Sequence, residues 1–215
     1  MSRLSFMIDL RFMFTLFGSL ALASACDGSQ KDGGSETAAK SDKPEKKAPA
    51  PEESPIDKPS ADWPTLALTK VDDEVDGIKF SLSLPADKLV REVKASDGTF
   101  PGYVTWNGAN FLMDPSFTVQ VDSSPPADLA EAARKAAIAP QPGEVTRQEQ
   151  LEGGGFVVSF VEKTNEFVRV EAWRTSPSTS KVLRAKLQVR QTKPIPNLDA
   201  LRSWMETVAS SLVVQ

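Results

Sequence analysis

The chain has 215 residues, a formal net charge of −4 and 40% hydrophobic residues, a composition typical of a globular protein. It contains no histidine and one cysteine, Cys26. These counts exclude histidine-based acid–base catalysis, a cysteine-based zinc site and an intrachain disulfide. We therefore expect no metal and no cofactor, and the acidic balance argues against a nucleic-acid partner.

Residues 1–25 have the pattern of an export signal. Arg3 and Arg11 precede an uncharged, largely apolar run from Phe12 to Ala23, and small residues follow it. A basic start, an apolar run and small residues are typical of a secretory signal peptide. The run is shorter than the roughly 20 residues that a membrane-spanning helix needs. We expect cleavage between Ala25 and Cys26, and hence an exported protein.

The segment Leu22-Ala23-Ser24-Ala25-Cys26 resembles the lipobox of bacterial lipoproteins, with the leucine one place further upstream than usual. The resemblance implies that Cys26 carries palmitate or related acyl chains, which anchor the chain to a membrane with the domain outside the cytoplasm. Two or more chains make such an anchor slow to release. Ala23-Ser24-Ala25 would also serve ordinary signal peptidase, so a soluble periplasmic protein is the alternative.

Residues 26–62 are predicted to be a disordered linker between the lipidated cysteine and a globular domain. This stretch is rich in Pro, Lys, Glu, Ser and Ala, and contains no aromatic residue before Trp63. Such a composition buries too little apolar surface to offset the entropy of ordering the chain. The globular domain is expected over residues 63–215, a length sufficient for one core.

The first half of this domain is predicted to be mostly strands. Ile78–Leu84 alternates apolar and polar residues and ends at Pro85. Asn107-Gly108 predicts a tight hairpin between Tyr103–Trp106 and Ala109–Met113. Phe117–Val121 predicts a further strand.

An acidic stretch, Asp72–Gly77, precedes the first of these predicted strands. It resembles the start of an EF-hand calcium loop, but the twelfth position is Ser83 where that loop needs a glutamate. We therefore expect a turn before the strand at Ile78, and no calcium site.

The second half combines two helices with an antiparallel meander. Pro126–Ala139 has helical spacing, with Ser124 as its expected cap, and a closing helix from Leu198 to Leu212 has Asn197 as its cap. Between the helices the predicted elements are an edge strand at Val145–Leu151, a turn at Gly153–Gly155, and strands at Phe156–Lys163, Phe167–Arg174 and Lys181–Arg190.

This order predicts an α+β fold, with an antiparallel sheet of about six strands and helices packed on it. Gly77–Pro85, the central helix, the meander and the closing Ala209–Leu212 together resemble the PsbP-like group, which includes bacterial envelope lipoproteins. The resemblance implies an α/β/α sandwich. It also favours a binding role, because most members of that group bind proteins.

The last two predicted strands are rich in cations. Arg184, Lys186 and Arg190 point to one side by the period of two, and Arg169 lies on the neighbouring strand. We interpret these four residues as a binding face for an anionic lipid headgroup, wall polymer or acidic protein. The alternative is a solvated face balanced by acids on neighbouring strands, namely Glu162, Glu166 and Glu171.

The functional prediction is a membrane-anchored envelope lipoprotein that acts as a non-enzymatic binding or assembly module. One alternative is a soluble ligand carrier with a closed apolar pocket lined by the four tryptophans Trp63, Trp106, Trp173 and Trp204, although core packing is expected for each. The other is an envelope hydrolase, which would need two carboxylates facing one cleft.

Overall fold

The computed structural model describes residues 58–137 and 143–215. Contacts divide the chain into two units, Met1–Pro49 and Ala50–Gln215, and every described residue belongs to the second. The predicted signal peptide, Cys26 and most of the predicted linker lie outside the described residues. Within the described ranges, no helix is long and apolar enough to cross a membrane.

The described part of the chain contains ten strands and two α-helices. The first five strands are β1 Thr69–Val75, β2 Ile78–Leu84, β3 Val90–Lys94, β4 Tyr103–Asn107 and β5 Ser116–Asp122. Helix α1 spans Leu129–Ala137. The remaining strands are β6 Gly143–Gln150, β7 Phe156–Glu162, β8 Phe167–Thr175, β9 Val182–Arg190 and the short β10 Val213–Val214. Helix α2 spans Leu198–Ser210.

The strands form two antiparallel sheets. One has three strands in the order β1-β2-β10, and the other has seven in the order β3-β4-β5-β9-β8-β7-β6. The fold is therefore mixed α+β, as the sequence predicts, but it is mostly β and has more strands than expected. The unpredicted strands lack the usual apolar signal: β3 has no buried residue, and β10 has only two residues.

The acidic stretch is not a turn, contrary to prediction, because its first four residues belong to β1. Only Asp76 and Gly77 form the turn, and both have positive φ, 49° and 82°. Such angles are those of a tight hairpin, for which Asp-Gly is a favoured pair. Asp73 of β1 accepts two hydrogen bonds from Arg91 of β3, at 2.6 and 2.7 Å.

The predicted hairpin at Asn107-Gly108 is also wrong. Strand β4 pairs with β5, whose first residue is Ser116, and Ala109–Met113 is not a strand. Neither Asn107 nor Gly108 has the positive φ that a two-residue hairpin requires. The intervening loop instead folds around Asp114, which accepts a hydrogen bond from the Asn110 backbone N–H at 2.7 Å.

The helix caps differ from the sequence prediction. Asp128, not Ser124, accepts a hydrogen bond from the Glu131 backbone N–H at 2.7 Å, as an N-cap does. Asn197 occupies the predicted cap position of α2, but its φ is 54° and its side chain makes no capping hydrogen bond. The helices themselves are where the periodicity predicts them.

The meander follows the prediction closely. Strand β6 is an edge of the seven-stranded sheet, and Gly153, Gly154 and Gly155 all have positive φ in the turn before β7. Asn165, also at positive φ, turns the chain between β7 and β8. Turn residues thus mark the ends of these strands in the sequence.

The buried hydrophobic residues form two clusters. The larger contains the inner residues of both sheets together with residues of α2, among them Leu201, Met205 and Val208. The smaller joins Ala132 and Ala136 of α1 to Val158 and Trp173. The four tryptophans are between 1% and 8% exposed, as expected for core residues.

Candidate functional site

The two faces of the seven-stranded sheet have different chemistry. On β8, Val168, Val170 and Ala172 belong to the large hydrophobic cluster. Because side chains alternate along a strand, Arg169 and Glu171 lie on the opposite face, together with Trp173, which contacts the buried alanines Ala132 and Ala136 of α1. The charged side chains of Arg169 and Glu171 therefore lie on a face of the sheet that is partly buried.

The register brings three of the four predicted cations to one carboxylate. Glu171 of β8 is the partner of Lys186 of β9 in the antiparallel ladder. Its two carboxylate oxygens lie 3.3 Å from Nε of Arg169 and 3.9 Å from Nη1 of Arg184. We call Arg169, Glu171, Arg184 and Lys186 the cation cluster.

The cation cluster is largely withdrawn from water. The side chain of Arg169 is 11% exposed, that of Glu171 4% and that of Arg184 28%. Nη2 of Arg169 and Nε of Arg184 are buried and have no hydrogen-bond partner among the described residues. A buried donor without an acceptor costs about 1–3 kcal/mol, and more when it is charged.

Burial shifts the pKa of three groups in the cluster. It raises the pKa of the Glu171 carboxyl above its ordinary value, although Arg184 and Arg169 act in the opposite direction. Burial also lowers the pKa of the Arg169 guanidinium and of the Lys186 ammonium, and here the carboxylate of Glu171 opposes the shift. Each shift has the direction expected when desolvation disfavours the charged form.

A cavity of 340 Å³ lies over the cluster and adds residues from two further elements. Asp122, at the end of β5, and Lys135, on α1, both line it. Asp122 accepts a hydrogen bond from Nε1 of Trp173 at 2.9 Å, and Lys135 donates to the backbone oxygen of Ser124. The cavity therefore contains four basic side chains and two carboxylates, an excess of positive charge.

Arg190, the fourth predicted cation, stands on the same sheet face but not in the cluster. Its guanidinium lies 5.3 Å from the ring centroid of Phe167, opposite it in the ladder. Arg169 stacks on the same ring at 6.0 Å and on Phe160 at 5.2 Å. Phe167 thus separates Arg190 from the cluster.

The sequence pattern predicts Arg169, Arg184 and Lys186, but it does not indicate that the site is partly acidic and largely buried. Glu171 is predicted only as an acid that balances these charges, whereas it lies at the centre of the cluster. The sequence gives no signal for Asp122. The alternation in Phe167–Trp173 could have revealed that Arg169 and Glu171 share a face. Glu162 and Glu166, the other expected balancing acids, make no ion pair with these cations in the described ranges.

In the described ranges, 58–137 and 143–215, no group of three or more acidic, cysteine or histidine side chains is placed to hold a metal ion. The predicted lipidation site Cys26 and the cleavage position Ala25 lie outside these ranges.

No protein-family model matches this chain, and no curated protein matches it in sequence. The PsbP-like resemblance therefore stays a prediction based on the order of elements. The chemistry of the site has to be inferred from its geometry.

Proposed function

We propose that this protein is a non-enzymatic binding module of the bacterial cell envelope, and that Arg169, Arg184 and Lys186 hold an anionic group of its partner. One observation carries this proposal: a buried guanidinium, that of Arg169, has a donor without an acceptor beside a cavity that contains more cations than carboxylates. A phosphate, sulfate or carboxylate entering that cavity would supply counter-charge to its basic side chains. Hydrogen bonds between arginine and such oxyanions are strong because both partners are charged.

The geometry favours an anionic partner over a purely structural role for the cluster. A structural ion pair needs one cation for each carboxylate, whereas four basic side chains share two carboxylates, Glu171 and Asp122, in this cavity. Keeping additional desolvated charges without counter-charges lowers stability. A bound anion would offset that cost.

We also propose the location and the finer fold. Cys26 is proposed to carry the lipid that holds the domain at a membrane surface, with residues 26–62 as the linker. The hydrophobic contacts of α1 with Val158 and Trp173, and those of α2 with the large cluster, support a PsbP-like α/β/α sandwich. The basic cavity would then face the partner while the lipid holds the domain near it.

The anion site is tested by titrating the purified protein with inorganic sulfate. We expect saturable shifts of the Trp173 indole N–H and of the backbone amides near Glu171 in nuclear magnetic resonance spectra. Replacing Lys186 by Gln should weaken sulfate binding by about tenfold or more, because a charge-assisted contact is lost. Arg184→Gln should weaken it similarly.

The matched control is Lys181→Gln, which removes an exposed lysine just before β9 and should leave sulfate affinity unchanged. Sulfate remains a dianion near neutral pH, so pH gives a second readout. Protonation of Glu171 removes a negative charge from the cavity, so affinity should rise by at least about threefold as pH falls through its raised pKa. Glu171→Gln should abolish that rise. Absence of saturable shifts, or equal affinity in Lys186→Gln and wild type, would contradict the proposal.

The membrane anchor is tested by metabolic labelling with a radioactive fatty acid in a bacterial host. We expect label in the wild-type protein and none in Cys26→Ser. Wild-type protein should also sediment with membranes, because two or more acyl chains are released slowly. Unlabelled wild-type protein in the soluble fraction would favour the soluble periplasmic alternative.

A carboxylate-based envelope hydrolase is the second candidate function, because Asp122 and Glu171 line the same cavity and burial raises the pKa of Glu171. A raised pKa is a property of general acids in glycosidases. The Glu171→Gln variant distinguishes the two functions. A hydrolase would lose its release of sugars from purified cell wall, whereas the binding module retains sulfate affinity.

A further inference from the structure

A second and larger cavity opens on the same sheet face, beyond Phe167. Its volume is 560 Å³, and its walls include Phe111 and Leu112 from the loop between β4 and β5, together with Phe167 and Arg190. Phe111 is 85% exposed and Leu112 55%. Ligand sites typically combine such apolar walls with a few polar groups. We call this cavity the apolar groove.

The apolar groove and the cation cluster adjoin each other. Phe167 lines the groove, and the guanidinium of Arg169 in the cluster lies 6.0 Å from its ring. Gln188, which also lines the groove, is the ladder partner of Arg169 and lies two residues from Lys186 on the same face of β9. A ligand leaving the cluster along β9 would therefore enter the groove.

The wall formed by Phe111 and Leu112 is held in place. The loop that carries them is fixed by Asp114, which accepts hydrogen bonds from the backbone N–H of Asn110 and from Ser60 and Trp63. The loop is therefore tied to the domain, yet it presents two large apolar side chains to solvent. Covering such surface is favourable by about 0.8 kcal/mol for each methylene that a ligand buries against it.

We infer that the ligand is a small anionic amphiphile, with its charged head in the cation cluster and its alkyl chain in the apolar groove. This inference rests on the proposed function, because it assigns the anion to the same cluster. Charge complementarity selects an anionic head, because the cavity over the cation cluster has more basic side chains than carboxylates. The groove itself has no such excess, since Asp114 and Glu166 line it together with Arg190. The apolar wall of Phe111 and Leu112 favours an alkyl tail.

The experiment compares three probes on the full chain: ethyl sulfate, octyl sulfate below its micelle concentration, and uncharged octyl glucoside. Octyl sulfate should bind at least about tenfold more tightly than ethyl sulfate. Burying only two of its additional methylenes in the groove, at about 0.8 kcal/mol each, is enough for that ratio. Octyl glucoside should bind more weakly than octyl sulfate. Lys186→Gln should weaken both sulfates by the same factor.

Phe111→Ser should reduce the octyl-to-ethyl ratio by at least about threefold and leave ethyl sulfate affinity unchanged. The unchanged ethyl sulfate affinity also shows that the variant is folded. The matched control is Phe100→Ser, since Phe100 is 63% exposed and does not line the groove, and it should change neither affinity.

The failures are distinguishable. Equal affinities for the two sulfates, or an unchanged ratio in Phe111→Ser, would overturn the amphiphile and leave the anion site standing. Octyl glucoside binding as tightly as octyl sulfate would also overturn it, because the head would then contribute nothing. If neither sulfate bound, the proposed function itself would fail.

Discussion

Replacing Asp114 by alanine is expected to lower the free energy of unfolding by about 3 kcal/mol. Asp114 is 5% exposed and accepts four hydrogen bonds. The donors are the Ser60 backbone N–H and hydroxyl at 2.7 and 2.6 Å, the Asn110 N–H at 2.7 Å, and Nε1 of Trp63 at 3.1 Å. Without the carboxylate, the buried indole N–H of Trp63 loses its acceptor. The segment before β1 would also lose its attachment to the loop.

Urea-induced unfolding, followed by tryptophan fluorescence, measures this loss. The control is Asp97→Ala, because Asp97 also accepts backbone hydrogen bonds, from Thr99 and Phe100, but is exposed. That variant should unfold close to wild type. An equally small effect in Asp114→Ala would show that the four hydrogen bonds merely replace bonds to water.

Glu206→Ala is the second prediction with a large effect, again a loss of about 3 kcal/mol in the free energy of unfolding. Glu206 lies on α2, and its side chain is 6% exposed. It accepts hydrogen bonds from Nη1 of Arg147 on β6 at 2.6 Å and from the hydroxyl of Ser159 on β7. Ser159 is fully buried, so removing the carboxylate leaves its hydroxyl without that acceptor. The variant also loses the hydrogen bonds that connect α2 to β6 and β7.

The matched control is a change at Glu149, because Glu149 accepts a hydrogen bond from the same Arg147 but its side chain is 50% exposed. Glu149→Ala should cost less than about 1 kcal/mol, since exposed ion pairs contribute little. Thermal unfolding of both variants would give the comparison. Equal losses in the two variants would contradict the prediction, because they would mean that burial of Glu206 adds nothing to stability.

The periodicity of the sequence predicted most of the strands and both helices because alternation and helical spacing are local properties. The pattern of apolar residues alone predicts the strands at Ile78–Leu84, Phe156–Glu162 and Val182–Arg190. Strand β3 does not, because all five of its residues are exposed and only pairing with β4 defines it. The hairpin prediction at Asn107-Gly108 failed because the loop that begins there is organised by hydrogen bonds to Asp114. One of its hydrogen-bond donors, Ser60, is 54 residues away in the sequence.

Half of the candidate site was predictable in the same way. Alternation along β9 placed Arg184, Lys186 and Arg190 on one side, because side chains of a strand point alternately to its two faces. It could not show that Arg190 would stack on Phe167 outside the cluster, since that contact depends on the register between β8 and β9. It also could not show that Arg169 would be buried.

The sequence by itself thus determined the candidate cations and the absence of histidine, and it predicted lipidation at Cys26. All three follow from residue identity and local spacing. Only the tertiary structure decided that β5, β9 and β8 are neighbours, which brings Asp122, Lys186 and Glu171 to one cavity. Only it decided that burial desolvates these charges and raises the pKa of the Glu171 carboxyl. The strength of a charge depends on its distance from water and from other charges, and both are properties of the packed molecule.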